Sequence, residues 1–539
     1  MLATLVTAVI DGLAGALVRV EVDVAPGLPG CHIVGLPDAA LSEARERVRA
    51  AIRNAGYQYP ASRITVNLAP ADRPKRGAAY DLAIAVGILV ASGQLRAGGE
   101  AIALLGEVSL DGSLLPVPGI LPMVATLVRA GYGRIGVPRP NAAEAGLVTG
   151  ATAIPLSGLD DAARVVAGSR GRRARAAHLQ VPVRVSGPDR QQVIETAGPD
   201  ADGARRAPAG VALDGASDPV DLSEVRGQPA ARWALEVALV GGHNLLLVGP
   251  PGAGKTLLAR AIPGLLPPLD EGEAIESTVI ASVAGLLGPE ARLRRERPFR
   301  SPHHTCSYAA MVGGGPRLAP GEVSLAHRGV LFLDELGEFD RFVLDALRQP
   351  VEEGRIALAR ASGQVVYPAR IQLVAAMNPC RCGFSGDPER ACRCSPSEVL
   401  RYQRRVSGPL LDRLDLRVEL RRVPSEELLA MDDPEPSAVV AARIVNARAR
   451  SLLRNGGRTN AEISGAAIVR AAGLDRQTRS RLAEIAEAAT LSARGVHRLL
   501  RVARSVADLN GEPVVDEPAL LAAASLRDPR EADPSALAA

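Results

Sequence analysis

Only two of the 63 Lys and Arg side chains in this 539-residue sequence are lysine, Lys75 and Lys255. Lys255 stands within Gly249-Pro250-Pro251-Gly252-Ala253-Gly254-Lys255-Thr256. At that spacing the glycines let backbone N–H groups close around phosphate oxygens. The ammonium meets the β- and γ-phosphates as a compact point charge, and the Thr256 hydroxyl can reach a magnesium ion. Further on, the apolar run Val330 to Leu333 ends in Asp334 and Glu335. Phosphoryl transfer to water needs positioning and charge stabilisation. Asp334 suits the magnesium and Glu335 suits the attacking water. A second apolar run, Ile371 to Met377, delivers Asn378, a neutral amide fitted to read the γ-phosphate. These residues predict a nucleoside triphosphate site with its magnesium.

Four of the six cysteines follow directly as Cys380, Cys382, Cys392 and Cys394. Thiols this clustered in a reducing compartment favour metal over disulfide, and two readings stay open: a closed tetrathiolate zinc site, or four reduced thiols. Cys31 and Cys306 are expected as small core residues. His303 and His304 are expected as a packed or hydrogen-bonded pair rather than metal ligands or nucleotide sensors.

The elements that must position this chemistry are legible around it. Asn244 to Val248 reads as a strand and Leu257 to Ala261 as a helix, the strand, loop, helix context a phosphate loop requires. Residues 1–167 alternate strand-like runs such as Ile64 to Leu68 with helical patterns such as Ala39 to Asn54, a separate α/β unit. Residues 168–219, rich in Gly, Pro, Arg and Asp, read as a linker. Residues 220–420 hold the nucleotide site, 421–527 are dense in helical periodicity, and 528–539 form a frayed tail. With 2% aromatic residues the cores must be built from Ala, Val and Leu. The net charge of +4 permits nucleic-acid binding without requiring it. No apolar run reaches membrane-spanning length and no basic leader opens the chain, so a cytoplasmic protein is expected.

These elements in this order resemble the AAA+ ATPases. Ser301-Pro302-His303-His304-Thr305, Val312-Gly313-Gly314-Gly315, Ser324-Leu325-Ala326-His327 and Ser407-Gly408-Pro409-Leu410-Leu411-Asp412-Arg413 narrow the likeness to the magnesium-chelatase-like ATPases of the YifB/ComM competence family. The resemblance implies a P-loop AAA+ domain with a C-terminal helical lid, assembly into hexameric rings and, for the competence members, branch migration of DNA in recombination. It also implies an arginine finger at Arg413, reaching into a neighbour's site, and a second sensor arginine at Arg494.

In the first block, Lys75 to Leu82 and Gly106 to Val117 resemble the proteolytic domain of Lon-type proteases, an α+β fold. A Ser-Lys dyad needs a hydroxyl and the amine that activates it. This chain has Ala79 and Leu121 at those positions, and Lys75 lies at neither. The block is therefore expected to be a scaffold or interaction module.

Candidate DNA contacts fall in two inserts. Arg292 to Arg300 crowds five arginines into nine residues, among them Arg294 and Arg295. A predicted hairpin, Arg355–Arg360 and Val365–Arg370 around Ala361 to Gln364, puts Arg360 near its tip. Such tips in a ring can grip phosphates without reading bases. The sequence thus points to an ATP-driven ring motor acting on single-stranded or branched DNA. The alternative is a protein-remodelling motor of the chelatase type. An ATP-dependent protease is disfavoured by Ala79 and Leu121.

Overall fold

The computed structural model describes residues 1–35, 39–70, 77–168, 220–315, 318–360, 363–387, 389–424 and 434–527. The expected linker beyond Gly168, Lys75 and the expected tail lie outside the described residues.

The first unit is built on a seven-stranded sheet in the order Gly30–Val34, Arg63–Ala69, Ala14–Ala25, Leu2–Asp11, Ala103–Leu104, Arg134–Pro138, Thr152–Leu156. Its two longest strands form an antiparallel ribbon that runs in register from Leu2 opposite Asp23 to Asp11 opposite Ala14. Alternation along Ala14–Ala25 sends Val18, Val20 and Val22 into the core. Helix Asp81–Ala91 is buried along its whole length. A helix that is apolar all round must be covered all round, and the sheet together with helices Ala39–Asn54 and Leu159–Ala167 covers it.

The second unit carries a five-stranded, all-parallel sheet in the order Phe299–Arg300, Val330–Leu333, Gln372–Met377, Leu245–Val248, Leu416–Glu419. Leu245–Val248, first in the chain, lies between the fourth and fifth strands, so the winding reverses there. Open α/β sheets bind ligands at such a switch point, beyond the carboxyl ends of the strands. The strand before the phosphate loop is thus where topology alone would put a nucleotide.

Helices Ser437–Arg454, Ala466–Ala472, Arg476–Ala488, Ala493–Asn510 and Glu517–Ser525 form the lid. Their apolar faces share one core with helix Pro229–Gly241 and the phosphate-loop strand. A buried polar network fixes the join. His243 Nε2 lies 2.8 Å from Ser505 Oγ, and Asn460 Nδ2 donates to Ser505 Oγ and to Asp508 Oδ2, both at 2.9 Å.

The two units meet at helix Glu271–Val283. Gly119 N donates to Ser282 O at 2.8 Å, and Leu121 N donates to Glu144 Oε1 at 2.9 Å and to Ser282 Oγ at 3.3 Å. The Ser282 hydroxyl donates back to Glu144. Leu13, at the turn of the long ribbon, packs against the second unit's core, as Val283 and Val365 do, and a Cβ on Gly12 would lie 3.4 Å from Val365 Cγ1.

Candidate nucleotide site

Gly249-Pro250-Pro251-Gly252-Ala253-Gly254-Lys255-Thr256 leaves the buried strand Leu245–Val248 and enters helix Lys255–Arg260. Gly254, the residue that opens this helix, has φ +88, a left-handed value that favours glycine even though a side chain would meet nothing there. Gly249 is needed for room instead, since a Cβ would lie 2.6 Å from Leu420 O.

Lys255 is buried, and its ammonium donates to Gly249 O at 2.7 Å, Pro250 O at 2.9 Å and Asn378 Oδ1 at 3.1 Å. Burial lowers its pKa, while the carboxylates of Asp334 and Glu335 pull it back up. Thr256 Oγ1 donates to Asp334 Oδ2 at 2.7 Å, so the hydroxyl and carboxylate suited to a magnesium ion already face each other. The structure therefore brings Lys255, Thr256, Asp334, Glu335 and Asn378 together. Glu335 has φ +52, a left-handed conformation that costs a non-glycine residue about 1–3 kcal/mol and is characteristic of functional turns. It turns the exposed carboxylate away from the strand axis to within 3.5 Å of His304 Nδ1. His303 and His304 do form a pair, with ring centroids 4.1 Å apart, and His303 Nδ1 lies 2.8 Å from Thr305 Oγ1.

The two candidate arginines are elsewhere. Arg413 follows the short helix Gly408–Leu411, and its carbonyl accepts from Asn244 Nδ2 at 2.8 Å, at the amino end of the phosphate-loop strand. Its guanidinium donates to Pro409 O at 2.6 Å and pairs with Glu352. Arg494, near the start of lid helix Ala493–Asn510, donates to the same carboxylate at 3.2 Å. The bond from Arg413, then desolvation against it and the nearby charges, leave the Glu352 pKa lowered. Both arginines line a cleft of about 1010 Å³ to which no residue from Gly249 to Thr256 contributes. Sequence reasoning missed Asn244 and Glu352. A polar residue opening an apolar strand was a visible signal for the first; nothing in the sequence marked the second.

The four cysteine sulfurs lie within 4.8 Å of one another. Three pairs measure 3.4, 3.5 and 3.7 Å. A tetrahedral zinc ion with Zn–S bonds of about 2.3 Å would set sulfurs about 3.8 Å apart, so the set fits that ion. Backbone N–H groups of Phe384 and Arg393 lower the Cys382 thiol pKa, towards the thiolate a metal needs, while the neighbouring thiols push Cys392 and Cys394 up. The insert rests on the phosphate loop. A Cβ on Gly383 would lie 2.6 Å from Pro251 Cδ.

The DNA candidates divide. In the first insert Arg297 pairs with Glu273 at 2.8 Å and Arg300 with Glu322 at 2.7 Å, so two of its five arginines are structural. Arg292 and Arg295 are exposed and Arg294 is half-buried. The hairpin strands are Arg355–Arg360 and Gly363–Pro368, with Arg360 opposite Gly363. Gly363 and Gln364, expected in the turn, belong to the second strand because the pairing continues to a tighter end. The Arg360 side chain lies outside the described residues. Ala79 and Leu121 are both buried, and neither offers a nucleophile or a base.

Profiles of the magnesium chelatase family cover most of the chain: subunit ChlI at residues 221–428, subunit ChlI of Mg-chelatase at 20–141, and the ChlI C-terminal region at 434–527. YifB of Escherichia coli strain K12 is 42% identical over 519 residues, spanning 96% of this chain and 95% of that protein. The competence protein ComM of Haemophilus influenzae is 40% identical over 521 residues, with 96% and 95% coverage. The chain belongs to the magnesium-chelatase-like AAA+ family of YifB and ComM. Membership carries nucleotide binding and the AAA+ ATPase fold with it. A shorter likeness, 30% over 155 residues, links 26% of the chain to 27% of Lon protease 2 of Bacillus subtilis. No described helix is long and apolar enough to cross a membrane.

Proposed function

We propose that this family member is a ring-forming motor that hydrolyses ATP and moves DNA strands, with branched or single-stranded DNA as its substrate. The separation of Arg413 and Arg494 from the phosphate loop of their own chain carries the reading. A nucleotide held by Lys255, Thr256 and Asp334 has neither Arg413 nor Arg494 of its own chain in the cleft beside it, and a neighbouring subunit supplies the finger. A homo-hexamer is the ring the family suggests. In it Lys255 neutralises the β- and γ-phosphates, Thr256 and Asp334 hold the magnesium, Glu335 polarises the water, and Asn378 keeps it in line. Arg413 and Arg494 act from the next subunit on charge that develops in transfer.

The DNA assignment is supported by exposed Arg295, by Arg294 beside it, by the hairpin that ends at Arg360, and by ComM's own description as a competence protein. Phosphate contacts of this kind are sequence-independent and weaken with salt. The four cysteines are assigned to one structural zinc ion that braces the segment against Pro251. ATPase turnover measured alone and with single-stranded, duplex and four-way-junction DNA tests the reading. Stimulation and salt-dependent binding are expected. Neither response with any DNA form would leave a protein-remodelling motor as the better account.

A further inference from the structure

Arg413 follows the short helix Gly408–Leu411 and Arg494 opens the lid helix Ala493–Asn510, yet both close on one carboxylate, and each of its oxygens takes one guanidinium. Arg413 Nη2 pairs with Glu352 Oε2, and Arg494 Nη2 donates to Glu352 Oε1 at 3.2 Å. The acids nearest them are engaged elsewhere. Glu353, next in the chain, takes Arg355 at 3.2 Å and Gln349 Nε2 at 3.1 Å, and Asp415 accepts from Asn244 N at 3.2 Å. The side chains of Glu352 and Arg494 are 47% and 54% exposed, so a ligand entering the cleft of about 1010 Å³ can reach the bridge. The Arg413 Nε–H is buried with no hydrogen-bond partner among the described residues. A guanidinium fork matches the oxygens of a carboxylate or of a phosphate alike. Two cations brought this close repel unless an anion lies between them, and in a single chain Glu352 is that anion.

We propose that Glu352 is a place-holder for the terminal phosphate of the nucleotide held by the neighbouring subunit, an inference that rests on the trans reading of Arg413 and Arg494 above. In the isolated chain its carboxylate keeps the two guanidinium groups converged. When a neighbour presents ATP, the terminal phosphate brings more negative charge and an oxygen for the unpartnered Arg413 Nε–H. It takes both arginines, and the carboxylate turns out to water. Loss of the phosphate lets the carboxylate return. Glu352 thus orders the fork before assembly and competes with the substrate after it. Half-exposed ion pairs are weak, as such a competitor must be, since a tighter bridge would leave the fork shut. Glu352 touches no nucleotide and acts only through the arginines, so it is a positioning residue.

The test measures steady-state ATPase of the full chain across a range of ATP concentrations. Glu352→Gln keeps the shape and removes the charge, and it should raise kcat/KM about two- to fivefold, the scale of one exposed ion pair. Glu352→Asp keeps the charge and should stay close to wild type. Glu352→Gln combined with Arg413→Ala should gain nothing over Arg413→Ala alone, because the competition runs through the finger. An unchanged or lowered kcat/KM in Glu352→Gln would make the bridge a plain tie between core and lid and overturn the proposal. A gain of equal size in Glu352→Asp, or one that survives in the Arg413→Ala background, would overturn it as well. Arg413→Ala protein with wild-type turnover is instead the failure of the trans reading itself.

Discussion

Mixing two inactive subunits should restore ATPase activity, and the structure sets how much. Asn244 fixes the Arg413 backbone at the amino end of strand Leu245–Val248, and the phosphate loop leaves its carboxyl end. Four residues at about 3.3 Å each put roughly 13 Å between those ends. An extended arginine reaches about 7 Å from its Cα, given bonds of about 1.5 Å. Arg413 therefore cannot serve its own nucleotide. Arg413→Ala and Lys255→Ala rings should each be inactive, the former by about 10³ to 10⁵ in turnover if the finger has its usual worth. In a ring drawn at random from equal amounts, an interface works when its phosphate loop comes from an Arg413→Ala subunit and its finger from a Lys255→Ala subunit. That is about a quarter of interfaces, so phosphate release should peak near a quarter of the wild-type rate at equal mixing. Native mass spectrometry would verify that mixed rings form. A flat profile from rings shown to be mixed would refute the trans geometry.

Glu335→Gln should still bind ATP, measured by equilibrium binding, while steady-state turnover falls by roughly 10² or more, because the amide cannot polarise water. Purified protein should carry about one zinc per chain by elemental analysis, and Cys382→Ser should lose it together with thermal stability. Glu144→Ala should lower the melting temperature of the first unit, since it takes the acceptor from the Ser282 hydroxyl and the shorter of the two bonds from Leu121 N, at a cost of about 1–3 kcal/mol. Burial raises the Glu144 pKa against the bonds from Ser282, Leu121 and Asn141. The folded state therefore keeps a proton that the unfolded chain has already released above the ordinary carboxylate range, and stability falls as pH rises through that window. Melting curves of Glu144→Gln should lack this slope.

What could be read from the sequence was the chemistry that is local in the chain. The phosphate loop, the acidic strand and Asn378 each combine a short motif with an apolar strand, and the strands Arg63–Ala69 and Leu245–Val248 and the helix Ala39–Asn54 stand close to where periodicity put them. Long-range pairings were not legible. Glu352 gathers Arg413 and Arg494 from 61 and 142 residues away, and Glu144 meets Ser282 from 138 residues away. No spacing rule links such partners. The arginine count misled in a different way. In a chain so rich in arginine a run of five looks like a binding patch, yet Arg297 and Arg300 fold inward onto Glu273 and Glu322.

The ribbon of Leu2–Asp11 and Ala14–Ala25 is tied at its far end, where the Met1 amino group donates to Val24 O at 2.8 Å, and at its near end Leu13 packs against the second unit's core. Ten paired residues at about 3.4 Å make a rod of roughly 34 Å. Under the motor reading proposed above, that rod is a pointer whose short arm rests against the hairpin, where a Cβ on Gly12 would lie 3.4 Å from Val365 Cγ1. A displacement of the hairpin becomes a tilt of the whole first sheet, enlarged at its outer edge. A unit with Ala79 and Leu121 in place of a nucleophile and its base would in this way still register, under that same proposal, the state of the nucleotide site.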